Sequence, residues 1–420
     1  MKQHFRISAE FEYAAVRKGR PDSMSTPVKD WATDYDIFDP GYVANPFGVW
    51  DELRQKCPVA HTDRWGGSWL PTRYEDVFAI ARDVERFSST EITVAPTLDA
   101  DDEYAAVKSP PISSDPPEHT WARRLILPLF SPKAVERFEP TTRQFCRALI
   151  DRFINSGRAD AAVDYAQQIP VRVIANMLGI DETMSDTFTY WVRGVLELGL
   201  TDPELRRRCR LEALQFLMQQ VAARKSEPKD DLISYLLSQQ VDGQPVSDAH
   251  VLGTCGLLLV AGIDTTWSSI GSALWHLATH PEDRRRLAAE PGLLRTAMEE
   301  FLRAYSPVTM ARIVSGDTEF QGTRMCAGER VLMSFPSANR DPAVFPDADK
   351  VLIDREQNRH IAFGVGIHRC AGSNLARMEM RVALEEWLAR IPEFRLENAA
   401  AVTWAGGQVR GPRMLPVVFP

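Results

Sequence analysis

The chain has 420 residues, 44% hydrophobic and 25% charged, the balance of an ordinary soluble globular protein with ample material for a core. Its 57 acidic against 49 basic residues give a formal charge of -8, which argues against nucleic acid or an anionic membrane as the main partner. The six cysteines, at 57, 146, 209, 255, 326 and 370, contain no C-x-x-C pair, so no zinc site or disulfide framework is expected and a reducing cytoplasm fits best.

From Met1 to Arg20 the chain is polar and mixed in charge, without the apolar core of a signal peptide. Met24-Ser-Thr-Pro27 begins a more typical opening. Residues 1–34 are therefore expected to be a disordered extension, the first 23 also being readable as an upstream start, and residues 35–420 to form one folded domain. Gly67 to Pro71 is strand-like. In Asp115-Pro-Pro-Glu-His-Thr-Trp-Ala-Arg123, His119 and Arg123 stand at i, i+4 on one helix face.

From about residue 117 to 305 the pattern is mostly helical, punctuated by Ser131-Pro132, Glu139-Pro140, Gly157, Pro170, Gly179 and Asp202-Pro203, with 225–231 as a connector. Further strand-like runs are Ala311–Val314, Val331–Phe335 and Met414–Phe419. No repeat and no long linker divides the chain, so the fold class is mainly α with small β-sheets in a single domain. Val251 to Ile263, the most apolar run, ends at Asp264 and is too short to span a bilayer, so no membrane anchor is expected.

Ser247 to His280 is the longest helical pattern, with Ser247 as cap and Pro281 just beyond its end. At 1.5 Å per residue it would cross about 50 Å. Such a helix should be apolar at its middle, yet there it reads Ala261-Gly-Ile-Asp-Thr-Thr266. A buried carboxylate costs several kcal/mol unless it is paired. Either a threonine bonds back to the preceding turn and Asp264 reaches an exposed patch, or these groups serve chemistry. Glu300 and Arg303 have the i, i+3 spacing of a local ion pair.

The most specific signal is Phe363-Gly-Val-Gly-Ile-His-Arg-Cys-Ala-Gly372, a glycine-spaced loop ahead of the helical pattern Leu375, Met378, Val382, Ala383. It places Cys370 at or just before a helix N-terminus, where amide N–H groups and the helix dipole favour a thiolate. An inert buried thiol is the bland alternative, and it leaves three glycines, an aromatic and two basic residues unexplained.

The string F-x-x-G-x-H-x-C-x-G resembles the haem-binding loop of the cytochrome P450 family, and the resemblance covers about residues 35 to 420. It implies that family's helical fold enclosing a b-type haem, with Cys370 as proximal iron ligand and Phe363 and Gly372 framing the loop. A thiolate ligand pushes electron density toward the iron and favours O–O cleavage. The same resemblance makes Ala261–Thr266 the oxygen-binding segment. There Gly262 would make room for dioxygen, Thr265 would offer a hydroxyl, and Asp264 would link that hydroxyl through water to bulk protons. His119, Arg123, Arg312 and His368 would hold the propionates. Glu300, Arg303 and Arg355 would form a structural network behind the haem.

By resemblance the substrate pocket falls on Ile92 to Leu98, the Phe188 to Leu200 region, and Gly406 to Val409. The named positions are Ile92, Val94, Trp191, Leu257, Leu258, Val308 and Thr309, with Thr93 or Arg193 as candidates for a polar anchor. They imply a small to medium, largely apolar organic substrate. No flavin fingerprint or iron–sulfur cysteine cluster follows the loop, so electrons are expected from a separate ferredoxin, [2Fe-2S] or other, with an NAD(P)H-dependent reductase. Arg369, Arg377 and Arg381 are candidates for steering that partner. A monomeric, cytoplasmic monooxygenase using O2 is the expectation. A peroxide-using enzyme of the same fold would not need the Asp264-Thr265 pair, and neither would a haem sensor.

Overall fold

The computed structural model describes residues 26–96 and 108–420. Residues 1–25 of the expected extension, and Thr97 and Leu98 of the expected pocket, lie outside the described residues. The boundary at residue 34 needs correction, because residues 26–34 are tied to the body. Arg64 Nε donates to Asp34 at 2.7 Å and its Nη1 to the Thr26 carbonyl at 2.9 Å, while the His61 amide donates to the Ala32 carbonyl at 2.9 Å. Trp31 stacks on Tyr42 at 5.6 Å between ring centroids.

Helices dominate, and one organises the rest. Asp248–Thr279 starts where Ser247 Oγ accepts the His250 amide at 3.3 Å and stops at His280, ahead of Pro281, whose ring disfavours helical backbone in the preceding residue. It is the one described helix long and apolar enough to cross a membrane by length and composition, and half of its most apolar window is buried inside the protein. Here it is the central helix of the core. It packs against Gln168–Met177, Ser185–Leu196, Pro203–Ser226 and Ser373–Arg390, and against the strand Gly411–Met414. Leu259, Ile263, Trp267, Ile270, Leu274 and Leu277 lie in that core at three- and four-residue intervals.

Gln168–Met177 begins before Pro170 because a wider turn, Ala161–Ala166, runs into it. Among the described residues the largest sheet has five strands in the order Val59–Thr62, Ser68–Pro71, Arg330–Ser334, Thr309–Val314 and Phe87–Ser88. A three-stranded sheet and three two-stranded ribbons complete the β structure. The ribbon Thr403–Ala405 with Gly411–Met414 approaches the central helix unusually closely. A Cβ on Gly411 would stand 2.3 Å from Ser268 Cβ, and one on Gly271 would stand 2.8 Å from Pro412 Cγ. Those missing side chains let the strand lie directly on the helix, which carries Arg413 to its midpoint.

Candidate active site

The loop Phe363–Gly372 is folded by its glycines. Gly364 and Gly366 have φ of +67° and +70°, and a Cβ on Gly366 would come within 3.0 Å of the Ala81 carbonyl. The Cys370 amide donates to the Phe363 carbonyl at 2.7 Å, and Gly372 caps the helix Ser373–Arg390. Cys370 opens onto a cavity deep inside the domain, so its side chain is accessible while protein surrounds it. Burial pushes its thiol up, opposed by the Gly372 N–H and by Arg123, Arg369 and Arg377.

Across the cavity lies the central helix, presenting Leu257, Leu258, Ala261, Gly262, Thr265, Thr266 and Ser269. Thr265 Oγ1 donates to the Ala261 carbonyl at 2.9 Å. Gly262 also lines the wall, but the room its missing side chain leaves is taken by Ile174, whose Cδ1 is 2.6 Å from where a Cβ would be.

Asp264 faces away from the cavity. It is fully buried, and its carboxylate accepts from Arg413 Nη2 at 2.8 Å and 3.0 Å and from Ser268 Oγ at 3.2 Å. Arg413 also donates to Glu197 at 2.8 Å, and Arg193 pairs with Glu197 at 3.2 Å. Burial raises the Asp264 carboxyl, and Arg413, shared with Glu197, offsets only part of that rise. Burial would raise Glu197 too, but Arg413 and Arg193 outweigh it and hold it at about 2. Neither an exposed carboxylate nor a free proton carrier describes Asp264 in this conformation.

A cationic cluster edges the same cavity. Arg312 is 3% exposed, donates to the carbonyl of its neighbour Ala311 at 2.9 Å, and is pushed down to about 10 by burial. The His119 ring packs at a tilt against that of His368, 4.3 Å between centroids, and its buried Nε2 has no partner. Arg123 donates to the Arg369 carbonyl. His368 Nε2 meets Ser89 Oγ at 2.9 Å, and burial together with Arg312, His119 and Arg123 drives it to about 2. Asp115, the acid near this group, accepts from Ser88 Oγ and the Ser89 amide. Arg123, Arg312 and His368 therefore line the cavity with His119 packed behind, the two arginines supplying an excess of positive charge and His119 an unpartnered ring nitrogen. A flat prosthetic group carrying two carboxylates, with a metal facing Cys370 Sγ, fits that donor set.

Behind the site, Glu300 and Arg303 are both fully buried and joined by two hydrogen bonds of 2.8 Å. Arg355 Nε reaches Glu300 at 3.0 Å, and the Leu352 amide reaches it at 2.8 Å.

Of the expected pocket residues, Ile92, Leu257, Leu258 and Val308 line the cavity. Val94, Trp191 and Thr309 do not. Val94 is buried in a separate cluster with Tyr35 and Leu200. Trp191 packs on Phe188 and Phe216 and donates to Glu212 at 2.9 Å. Thr309 lies in a strand whose alternation turns Val308, Met310 and Arg312 to the cavity and Thr309 to the other face. Leu196 and Gln408 line the cavity from the expected segments, whereas Met310 and Glu379 are lining residues not singled out from sequence. Glu379 is fully buried with both oxygens unpartnered, and burial raises its carboxyl well above the usual range.

The expected docking charges are also altered. Arg377 is held by Glu299 at 2.6 Å and 2.8 Å and lies 4.4 Å over the Phe363 ring, while Arg381 pairs with Glu139 and Glu385. Arg369 remains exposed beside Cys370.

Residues 204–398 match the family model described as Cytochrome P450. The chain is 36% identical over 384 residues to the mycinamicin IV hydroxylase/epoxidase of Micromonospora griseorubida, covering 89% of this chain and 95% of that protein. It is 34% identical over 367 residues to the vitamin D(3) 25-hydroxylase of Pseudonocardia autotrophica, covering 86% and 90%. The solved structure of cytochrome P450 CYP109Q5 from Chondromyces apiculatus superposes with a TM-score of 0.83 at 32% identity, covering 93% of this chain and 99% of that one. These relatives share its length and fold, and those with named activities oxidise organic molecules. The chain belongs to the cytochrome P450 family, the haem b-dependent monooxygenases.

Proposed function

We propose that this monooxygenase hydroxylates, or oxidatively dealkylates, a small to medium and largely apolar organic substrate, using O2 and two electrons from a separate ferredoxin and its NAD(P)H-dependent reductase. The observation that carries this reading is one cavity bearing Cys370 Sγ on one wall and Thr265 Oγ1 on another, with uncompensated cations at its edge. When bound, haem supplies the redox-active iron at which dioxygen is reduced.

The chain's own groups act around it. Cys370 would hold the haem iron through its sulfur, which its loop fixes through the Cys370 amide bond to Phe363 and the Gly372 N–H. Arg312 and Arg123 would neutralise the haem's two carboxylates, and His119 and His368 would help to orient them. Ile92, Leu257, Leu258 and Val308 exclude water and hold an apolar substrate by contact. Thr265 holds a proton at Oγ1 on the cavity wall, where it can be passed onward and replaced. Asp264 supplies the replacement only after leaving Arg413, so proton delivery is coupled to opening of the Arg413 cluster. Glu300 with Arg303 and Arg355 keeps the backbone behind the cavity rigid.

On the Cys370 side, Arg369 is the cation left to steer an acidic ferredoxin, since Arg377 and Arg381 are committed to acids. The test is reconstitution with a bacterial ferredoxin and reductase, following product and NAD(P)H together. Turnover that needs both proteins and O2 is expected. Equal turnover with hydrogen peroxide alone would overturn the ferredoxin-dependent reading.

A further inference from the structure

Outside the catalytic cavity lies a buried guanidinium whose Nε has no acceptor among the described residues. Arg206, in the second turn of Pro203–Ser226, is 8% exposed, its Nε has no partner, and it forms no ion pair with a described carboxylate. Burial pushes it down to about 10, and Arg210, one turn along the same face, pushes in the same direction. Like charges at i, i+4 repel, and a buried guanidinium left unpaired costs several kcal/mol. Nearby acids are already engaged. Glu91 pairs with Arg330 at 2.7 Å, and Asp202 is exposed and caps the helix through the Leu205 amide at 3.0 Å.

The position is close to two walls of the cavity. Arg206 packs where a Cβ on Gly199 would be, 2.7 Å from its own Cβ, just after the segment that brings Leu196 to the cavity. Its charge also feels Glu91, the residue before the cavity-lining Ile92, while Arg206 and Arg210 themselves stand behind the lining residues. A surplus of positive charge between two cavity-lining segments calls for an anion, and the rest of that wall is apolar.

We propose that Arg206 and Arg210 form an anion-binding subsite on the flank of the substrate cavity, which takes the carboxylate of an amphipathic substrate whose apolar body enters between Ile92 and Leu196. This rests on the reading of the cavity as a substrate site and narrows its substrate class to apolar carboxylic acids. Arg206 makes the bidentate contact, and Arg210 adds charge.

The test uses the ferric holoprotein and straight-chain carboxylic acids of about eight to sixteen carbons, each beside its methyl ester, titrated by the change in iron spin state. The wild type is expected to bind the best acid at least about tenfold more tightly than its ester, a difference of about 1.4 kcal/mol. That preference should shrink with added salt. Arg206→Gln should abolish it while leaving ester binding unchanged, Arg206→Lys should keep part of it, and Arg210→Gln should reduce it. Equal binding of acid and ester by the wild type, no response to any acid, or a preference that survives Arg206→Gln would overturn the proposal. Should Arg206→Gln fail to fold, the wild-type comparison, its salt dependence and Arg210→Gln still decide. The thiolate-type spectrum of the reduced carbon monoxide complex reports separately on the monooxygenase reading, so the two can fail independently.

Discussion

Arg413 lies between the fully buried Asp264 and the partly buried Glu197, and replacing it with Met keeps most of its volume while removing the charge. Its side chain is 7% exposed, against 0% for Asp264 and 14% for Glu197, so little solvent can take its place. Removing one partner of a buried pair costs about 3–5 kcal/mol because the other charge is stranded. Here one arginine serves two acids and also lies 4.2 Å over the Trp267 ring, which places the loss at the upper end, about 5 kcal/mol. The pH dependence follows from the shifts. Glu197 is held at about 2, so its contribution to wild-type stability is present above the unfolded value of about 4.3 and is lost as pH falls toward 2. Without Arg413, Asp264 keeps no ion-pair partner and costs stability at neutral pH until it takes a proton, while Glu197 keeps only Arg193 and loses part of its contribution. Urea unfolding of the holoprotein, followed by far-UV dichroism and haem absorbance, should therefore show a gap between wild type and Arg413→Met that is wide at neutral pH and narrows in acid. Adding Asp264→Asn to Arg413→Met should recover part of the loss. A variant as stable as the wild type at neutral pH, or a gap indifferent to pH, would refute the assigned network.

Other expectations follow from the same structure. Thr265→Ala should retain haem and substrate binding but divert consumed NAD(P)H from product to hydrogen peroxide, measured by product and peroxide yields; unchanged coupling would remove Thr265 from proton delivery. Glu300→Gln strands Arg303 and Arg355 and should lower stability by about 3–5 kcal/mol, read as an earlier unfolding midpoint with loss of haem. Arg369→Glu should slow reduction by ferredoxin severalfold at low salt and little at high salt, while thermal stability stays near wild type. Arg377→Glu should instead destabilise, because it sets a second acid against Glu299.

How much of this was legible in the sequence depended on distance along the chain. Ser247 and Pro281 bracket the central helix by local rules, and the glycines around Cys370 announce a loop that side chains would forbid. The Glu300 and Arg303 spacing fixes their adjacency on one helix face. Asp264 is the contrary case: its partner Arg413 is in the ribbon that ends the chain, and only the close approach of Gly411 to Ser268 brings them together. No local pattern encodes that contact. Val94, Trp191 and Thr309 are as apolar or compact as their cavity-lining neighbours, and which way each faces is decided by strand alternation or tertiary packing. Arg377 shows the same limit for charge, since its partner Glu299 comes from a different helix. Arg206 gives no signal in a run of arginines until its burial is known.

The central claim is that Cys370 Sγ is the axial ligand of the haem in this cavity. The most direct measurement is the optical spectrum of the reduced carbon monoxide complex for the wild type and for Cys370→His. The wild type should give the thiolate-type spectrum, and Cys370→His should lose it while still binding haem. Retention of that spectrum in Cys370→His, or its absence from haem-loaded wild type, would contradict the account.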